Sequence, residues 1–322
     1  MSADFGTVTI PAHYKHIPRL DFDALLPHLP KRIFHDELHV PETWPEETTV
    51  LVNDVMYATP TLIDRLPNIK VISFAGTGVW DRVDVPHATH RGIAVCNVPG
   101  WGNDSIAEFT FALLLALARK LLTADAVARR PEWKVEECHG LQLHGKTLGL
   151  IGLGNVGQRV AEIAEGFGLR VLCYTRHPEA PRRTRARVEF VSLDVLLRRS
   201  DFLSLHALLT DETRGMIGAR ELDLLPQGAM VINTARGPLV DTDALVAALT
   251  RGRLGGAGLD VFDHEPLPEQ HPLKQLDNVI LTPHAAGWTD TAVYNLFARS
   301  LANADAFAAG DPINVVNPEV LR

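Results

Sequence analysis

Cysteine is scarce in this 322-residue chain: Cys96, Cys138 and Cys173 are all there is. Three thiols without close spacing build neither a disulfide framework nor a cysteine metal site, so a reducing, cytoplasmic location and no bound metal are expected. Long apolar runs are also missing. The longest, FALLLALA at 111–118, is far short of the roughly 20 residues that cross a bilayer, and no basic segment leads into an apolar core near the start of the chain. Positive charge is in deficit, with 31 Lys and Arg against 39 Asp and Glu for a net charge of −8. That balance repels nucleic acids and anionic membranes at long range, so neither is an expected partner. Internal repeats and low-complexity tracts are absent as well. What remains is ordinary globular material, 46% hydrophobic and 22% charged, enough for two domains at about 100–200 residues each.

Over residues 50–96 short β-rich runs, TVLVN, KVISFA and GIAVCNV, alternate with the helical patterns TPTLIDRL and DVPHATHRG, which predicts a small parallel α/β unit. A long helix is then predicted over 105–122. Ser105 and Glu108 have capping-box spacing, and the residues after them are apolar on nearly every face, as in a helix buried between domains or subunits. From Lys146 to His284 the alternation resumes, with strand-like TLGLI, RVLCY, RVEF, DFLSLH, AMVINT, GAGLDVF and NVILTP. That pattern predicts a doubly wound parallel sheet. The closing stretch GWTDTAVYNLFARSLANADAFAAG reads as one helix returning to the first domain.

Gly152, Gly154 and Gly157 fit G-x-G-x-x-G directly after an apolar strand and at the start of a helix. The first glycine permits a tight turn, the second lets the backbone approach a pyrophosphate, and the third lets helix and strand pack closely. The helix start, at Asn155 and Val156, adds amide donors and a partial positive charge. Three glycines also occur in turns that bind nothing, but the strand–turn–helix setting favours a Rossmann dinucleotide site. About 20 residues on, where a carboxylate often takes a ribose hydroxyl, the second strand is followed by Thr175 and Arg176. A hydroxyl and a guanidinium suit a 2′-phosphate, so NADP(H) is expected over NAD(H). The alternative reading puts Arg176, with Arg182, Arg183, Arg185 and Arg187, in a solvated loop.

Three further blocks lie at predicted strand ends, where open α/β sheets bind ligands: NTARGPLVD (233–241), GLDVFDHEP (258–266) and TPHAAGW (282–288). With the glycine loop and CNVPGWGNDSIAEFTFALLL (96–115), they make the chain resemble the NAD(P)-dependent D-2-hydroxyacid dehydrogenases over roughly residues 70–290, nearest the glycerate dehydrogenase and hydroxypyruvate reductase branch. The resemblance implies an oxidoreductase in which Arg236 binds the carboxylate and keto oxygen of a 2-keto acid and His284 moves the proton. It implies that Glu265 orients the imidazole. It further implies that Thr234, Ala235, Asp260 and His206 neighbour the cofactor and that backbone amides near Thr77 and Gly78 hold the substrate carboxylate. Each residue alone has an ordinary reading, as a structural ion pair, a surface acid or a core histidine; their joint occurrence favours chemistry.

The expected architecture is a Rossmann doubly wound cofactor domain at 105–288 inserted in a smaller flavodoxin-like α/β substrate domain, 1–104 with 289–322. A homodimer built around helix 105–122 is implied too. The expected activity is reversible reduction of a short 2-keto acid such as glyoxylate or hydroxypyruvate to the D-2-hydroxy acid. Formate dehydrogenases share the fold but typically place Gln at the Glu265 position. A dinucleotide-sensing interaction protein of corepressor type, on the same fold and without significant turnover, is the alternative.

Overall fold

Fully buried strands with hydrophobic side chains on both faces suit parallel sheets covered by helices on either side, and the chain builds two of them. A computed structural model describes residues 7–36, 44–54 and 56–322, which divide into one unit of residues up to Gly102 with Trp288–Arg322 and a second of Asn103–Gly287. The first unit carries β1 (Thr7–Pro11), β2 (Arg32–His35), β3 (Thr48–Asn53), β4 (Val71–Phe74) and β5 (Ala94–Cys96), with short helices α1 (Phe22–Leu25), α2 (Pro60–Asp64) and α3 (Val85–His90). Its sheet runs β2-β1-β3-β4-β5, all parallel. That is the flavodoxin-like order, and the winding direction reverses between β1 and β3.

In the second unit α4 (Asn103–Ala118) and α5 (Leu121–Ala128) precede the inner strand β6 (Thr147–Ile151). There follow α6 (Asn155–Gly166), β7 (Arg170–Tyr174), β8 (Val188–Phe190), α7 (Leu193–Arg199), β9 (Phe202–Leu205), α8 (Ala219–Leu224), β10 (Met230–Asn233), α9 (Thr242–Thr250), β11 (Gly256–Leu259) and β12 (Val279–Leu281). The seven strands are parallel in the order β12-β11-β10-β9-β6-β7-β8, a Rossmann sheet that reverses between β6 and β9. One apolar layer packs α4 and α6 on β6 and β9 through Phe111, Leu114, Val160 and Phe202, and a second packs α7–α9 on the other face through Leu197, Leu222 and Leu249. The chain then returns to the first unit as α10 (Asp290–Ala308), whose Phe297, Leu301 and Ala304 pack over β1, β3 and β4.

The helix expected at 105–122 differs from the one formed. It begins at Asn103, so Ser105 lies inside the first turn instead of capping it, and it stops at Ala118. The stop has a cause: the Leu141 amide donates to the Ala118 carbonyl at 2.6 Å, and Lys120 adopts φ 48°, so α5 starts afresh. β1 and β2 are absent from the sequence reading, although TVTIP is β-branched and forms an inner strand.

Candidate active site

The sheet of the second unit presents its candidate residues in a row. At the C-terminal ends of β12, β11, β10, β9, β6 and β7, which are neighbours in that order, stand His284, Glu265, Arg236, His206, the glycine loop and Thr175. The reversal between β6 and β9 puts the glycine loop and His206 on either side of the crevice where such sheets take ligands.

Gly152 has φ +95°, and a Cβ there would lie 2.6 Å from the His206 carbonyl oxygen, so the turn requires glycine. A Cβ on Gly157 would meet the Gly152 carbonyl oxygen at 2.5 Å. Gly154 is different. Its φ of −70° suits any residue, and a Cβ there would meet nothing within 4 Å. No atom of the described residues explains that glycine. The space beside it adjoins the start of α6, where the Asn155, Val156 and Gly157 amides have no intrahelical acceptor and no side chain caps the helix. The loop therefore fits the phosphates of a dinucleotide.

Beyond β7, the Thr175 hydroxyl accepts from the His177 amide at 3.3 Å, and the Arg176 guanidinium ion-pairs with Glu212. Arg182 folds back on the Pro178 and Ala180 carbonyls at 2.8 and 2.7 Å. The Arg183 and Thr184 amides bond the side chain of Gln158 on α6 at 2.7 and 3.0 Å. Gln158, unremarked in the sequence, thus ties this loop to the dinucleotide helix. His206 is held by Ser204 at 2.8 Å, and burial pushes its imidazole down to about 4; it is neutral at physiological pH.

The arginine loop is built by Asn233, which is 1% exposed. Its carboxamide oxygen accepts from the Ala235 amide at 3.0 Å and its nitrogen donates to the Arg236 carbonyl at 2.8 Å. Thr234 bonds Thr110 of α4 at 2.9 Å, and Arg236 itself donates to the Ala235 carbonyl at 2.9 Å. Gly237 comes next, and a Cβ there would lie 2.1 Å from the carbonyl carbon of Phe262. The arginine loop therefore rests directly on the backbone of the loop that carries Glu265.

Glu265 accepts from the Phe262 amide through one oxygen at 3.1 Å and meets Nδ1 of His284 through the other at 2.9 Å. Nε2 of His284 has no partner among the described residues. His284 sits at φ 55° and donates its backbone N–H to the Asp260 carbonyl at 2.8 Å. Positive φ in a non-glycine residue costs energy and persists where the surroundings impose it. Asp260 imposes it: fully buried, it accepts from Thr282 Oγ1 at 2.6 Å and from the Ala285 and Ala286 amides at 2.8 Å each. The resemblance implies a nicotinamide neighbour at Asp260; these bonds make it the brace of the histidine turn.

In the first unit Thr77 and Gly78 follow β4. Thr77 donates its hydroxyl to the Val98 carbonyl at 3.0 Å and accepts at its carbonyl from Asn97 at 2.9 Å. The Thr77 and Gly78 amides donate to no acceptor among the described residues. No group of three or more His, Cys, Asp or Glu among the described residues is arranged to hold a metal.

Residues 111–286 match the family described as D-isomer specific 2-hydroxyacid dehydrogenase, NAD binding domain. The chain is 44% identical over 270 residues to the glyoxylate reductase of Thermococcus litoralis, covering 81% of this chain and 80% of that protein. Among solved structures, D-lactate dehydrogenase from Aquifex aeolicus complexed with NAD and lactic acid is similar at TM-score 0.84 and 32% identity, over 97% of this chain and 99% of that one. A glyoxylate reductase from Paecilomyes thermophila is similar at TM-score 0.86 and 27% identity, over 98% and 99%.

Proposed function

The chain belongs to the D-isomer specific 2-hydroxyacid dehydrogenases, and from that premise we propose that it reduces glyoxylate or a similarly short 2-keto acid to the D-2-hydroxy acid, with NADPH as hydride source. The observation that carries the reading is the Glu265–His284 hydrogen bond standing two strand ends from Arg236 and in line with a glycine loop fit for a dinucleotide. Arg236 holds the substrate carboxylate and keto oxygen with its fork of donors. His284 Nε2 delivers a proton to the carbonyl oxygen as charge develops there, and takes it back in the reverse direction. Glu265 keeps Nδ1 protonated and the ring aligned. Asp260 and Asn233 hold the two catalytic turns in shape. Thr234, Ala235 and neutral His206 adjoin the cofactor.

Preference for NADPH rests on Thr175 and Arg176, with no acid at the strand end. The guanidinium already has a partner in Glu212, half or more of each side chain being exposed, so a 2′-phosphate must compete for it. A contact of this kind near the surface is worth about 1–2 kcal/mol after screening. Arg176→Ala is expected to lower kcat/KM for NADPH roughly tenfold with little change for NADH, and Glu212→Gln to raise it. Steady-state oxidation of both cofactors with glyoxylate reads this out. A native enzyme faster with NADH ends the NADPH assignment, and tight cofactor binding without turnover of any keto acid ends the enzymatic one.

A homodimer is part of the same reading. Its support lies in the segment after α4, where Leu121, Leu122, Trp133 and Val135 are all about 60–70% exposed, a density of bare apolar side chains that marks association surfaces. Light scattering should give twice the 35.3 kDa chain mass; a monomer removes the inference. Among the described residues no helix is long and apolar enough to cross a membrane. Burial pushes the Cys96 and Cys173 thiols up to about 12, which suits inert thiols in a reducing cytoplasm.

A further inference from the structure

Five arginines follow β7, at 176, 182, 183, 185 and 187, and they are not equivalent. Arg176 is ion-paired with Glu212. Arg182 folds back on the carbonyls of His177, Pro178 and Ala180, with its guanidinium 4.9 Å from the centre of the Phe190 ring. Arg183, Arg185 and Arg187 are exposed, and their guanidinium groups meet no acid among the described residues. What separates these three is the point at which α6 holds their backbone.

The Arg183 and Thr184 amides donate to Gln158 Oε1 at 2.7 and 3.0 Å, and the Arg187 amide donates to Glu165 at 3.0 Å. Gln158 lies in the first turn of α6 and Glu165 at its far end, so Arg187 is held about 10 Å further along the helix than Arg183. The other end of the Gln158 carboxamide turns back. Its Nε2 donates at 3.3 Å to the carbonyl of Leu153, between two glycines of the phosphate loop. In that loop the Gly152 amide donates to the Tyr174 carbonyl at 2.9 Å, which ties the end of β7 to the same place. One side chain therefore fastens the backbone of an uncommitted arginine to the loop fit for a dinucleotide.

We propose that Arg183 is a specificity-determining cation for the 2′-phosphate of the cofactor, and that Gln158 is the positioning residue that keeps it beside the glycine loop. The proposal rests on the NADPH reading above. Arg176 must leave Glu212 before it can bind a phosphate, whereas Arg183 has no acid to leave. Its backbone is already ordered by Gln158, so less conformational freedom is lost when the side chain closes on a ligand. A guanidinium offers a planar fork of donors to two phosphate oxygens at once. Arg185 and Arg187 carry the same charge but are held further down α6, and they contribute little.

The test is calorimetric binding of 2′,5′-ADP and 5′-AMP, which differ only in the 2′-phosphate, to the native protein and to Arg183→Ala, Arg183→Glu, Arg187→Ala and Gln158→Met. The native protein is expected to prefer 2′,5′-ADP by about tenfold or more. Arg183→Ala should cut that preference about tenfold and Arg183→Glu further, while Arg187→Ala should change it by less than about twofold. Gln158→Met keeps the length of the side chain without its carboxamide. It should cut the preference about fivefold and, in the cofactor-free protein, speed hydrogen exchange at the Arg183 and Thr184 amides by a similar factor, as the loss of one hydrogen bond apiece predicts. Faster exchange with an unchanged preference would make Gln158 a loop strut and overturn its positioning role. A preference in Arg183→Ala within about twofold of native, in a protein that does favour 2′,5′-ADP, overturns this proposal alone. A native protein that binds the two nucleotides equally overturns the NADPH reading with it.

Discussion

His284→Ala is expected to lower kcat for glyoxylate reduction by about 10²–10⁴, with the circular dichroism spectrum and cofactor affinity retained. The loss comes from the proton. Without Nε2 the alkoxide forming at the keto carbon has no aligned proton donor. Fold retention follows from the position: His284 is 41% exposed on its side chain, and its turn is set by Asp260 through backbone amides that alanine keeps. Because the residue sits at φ 55°, His284→Asn, which tolerates that conformation better, is the control for backbone strain. Both variants should be equally inactive. Turnover within tenfold of native in either one would remove His284 from the proton path.

Arg236→Ala should cost about 10²–10³ in kcat/KM, the range seen when one preorganised donor to a developing oxyanion is removed. Arg236→Lys should recover little of it, because an ammonium cannot reproduce the planar fork that binds carboxylate and keto oxygen together. Among the described residues the Asn233 side chain bonds the backbone of this loop alone, so the variant loop keeps its course and the effect reports the guanidinium. Quenching of tryptophan fluorescence by NADPH separates the outcomes, since an unchanged dissociation constant with lost turnover places the defect in substrate handling. Native KM for the keto acid in Arg236→Ala would mean that another cation holds the carboxylate.

The parts legible in the sequence were those whose physics is local. A glycine at φ +95°, a helix start after a strand, and an Arg, a Glu and a His each just past an apolar run are all specified by a few consecutive residues. Their gathering into one row follows from parallel strand order, which the alternation of elements implies. What escaped depends on distant partners. The break after Ala118 is set by a chain segment returning at Leu141, and β1 is a short strand followed by a 3-10 turn and a four-residue α-helix, without the periodic crossover that betrays a parallel pair. Asn233, Asn97 and Gln158 look like ordinary polar residues until the backbone groups they satisfy are in place. Asp260 is legible as an acid past a strand end, but its bracing of the histidine turn depends on Thr282, Ala285 and Ala286 on a later segment.

The contact between Gly237 and the Phe262 backbone has a practical corollary for anyone remodelling this enzyme. It welds the segments bearing the cation and the acid–base couple into one mechanical piece, so grafting 233–241 from another dehydrogenase without 258–266 invites a misfit at the seam. Only paired transplants should carry a new substrate preference intact.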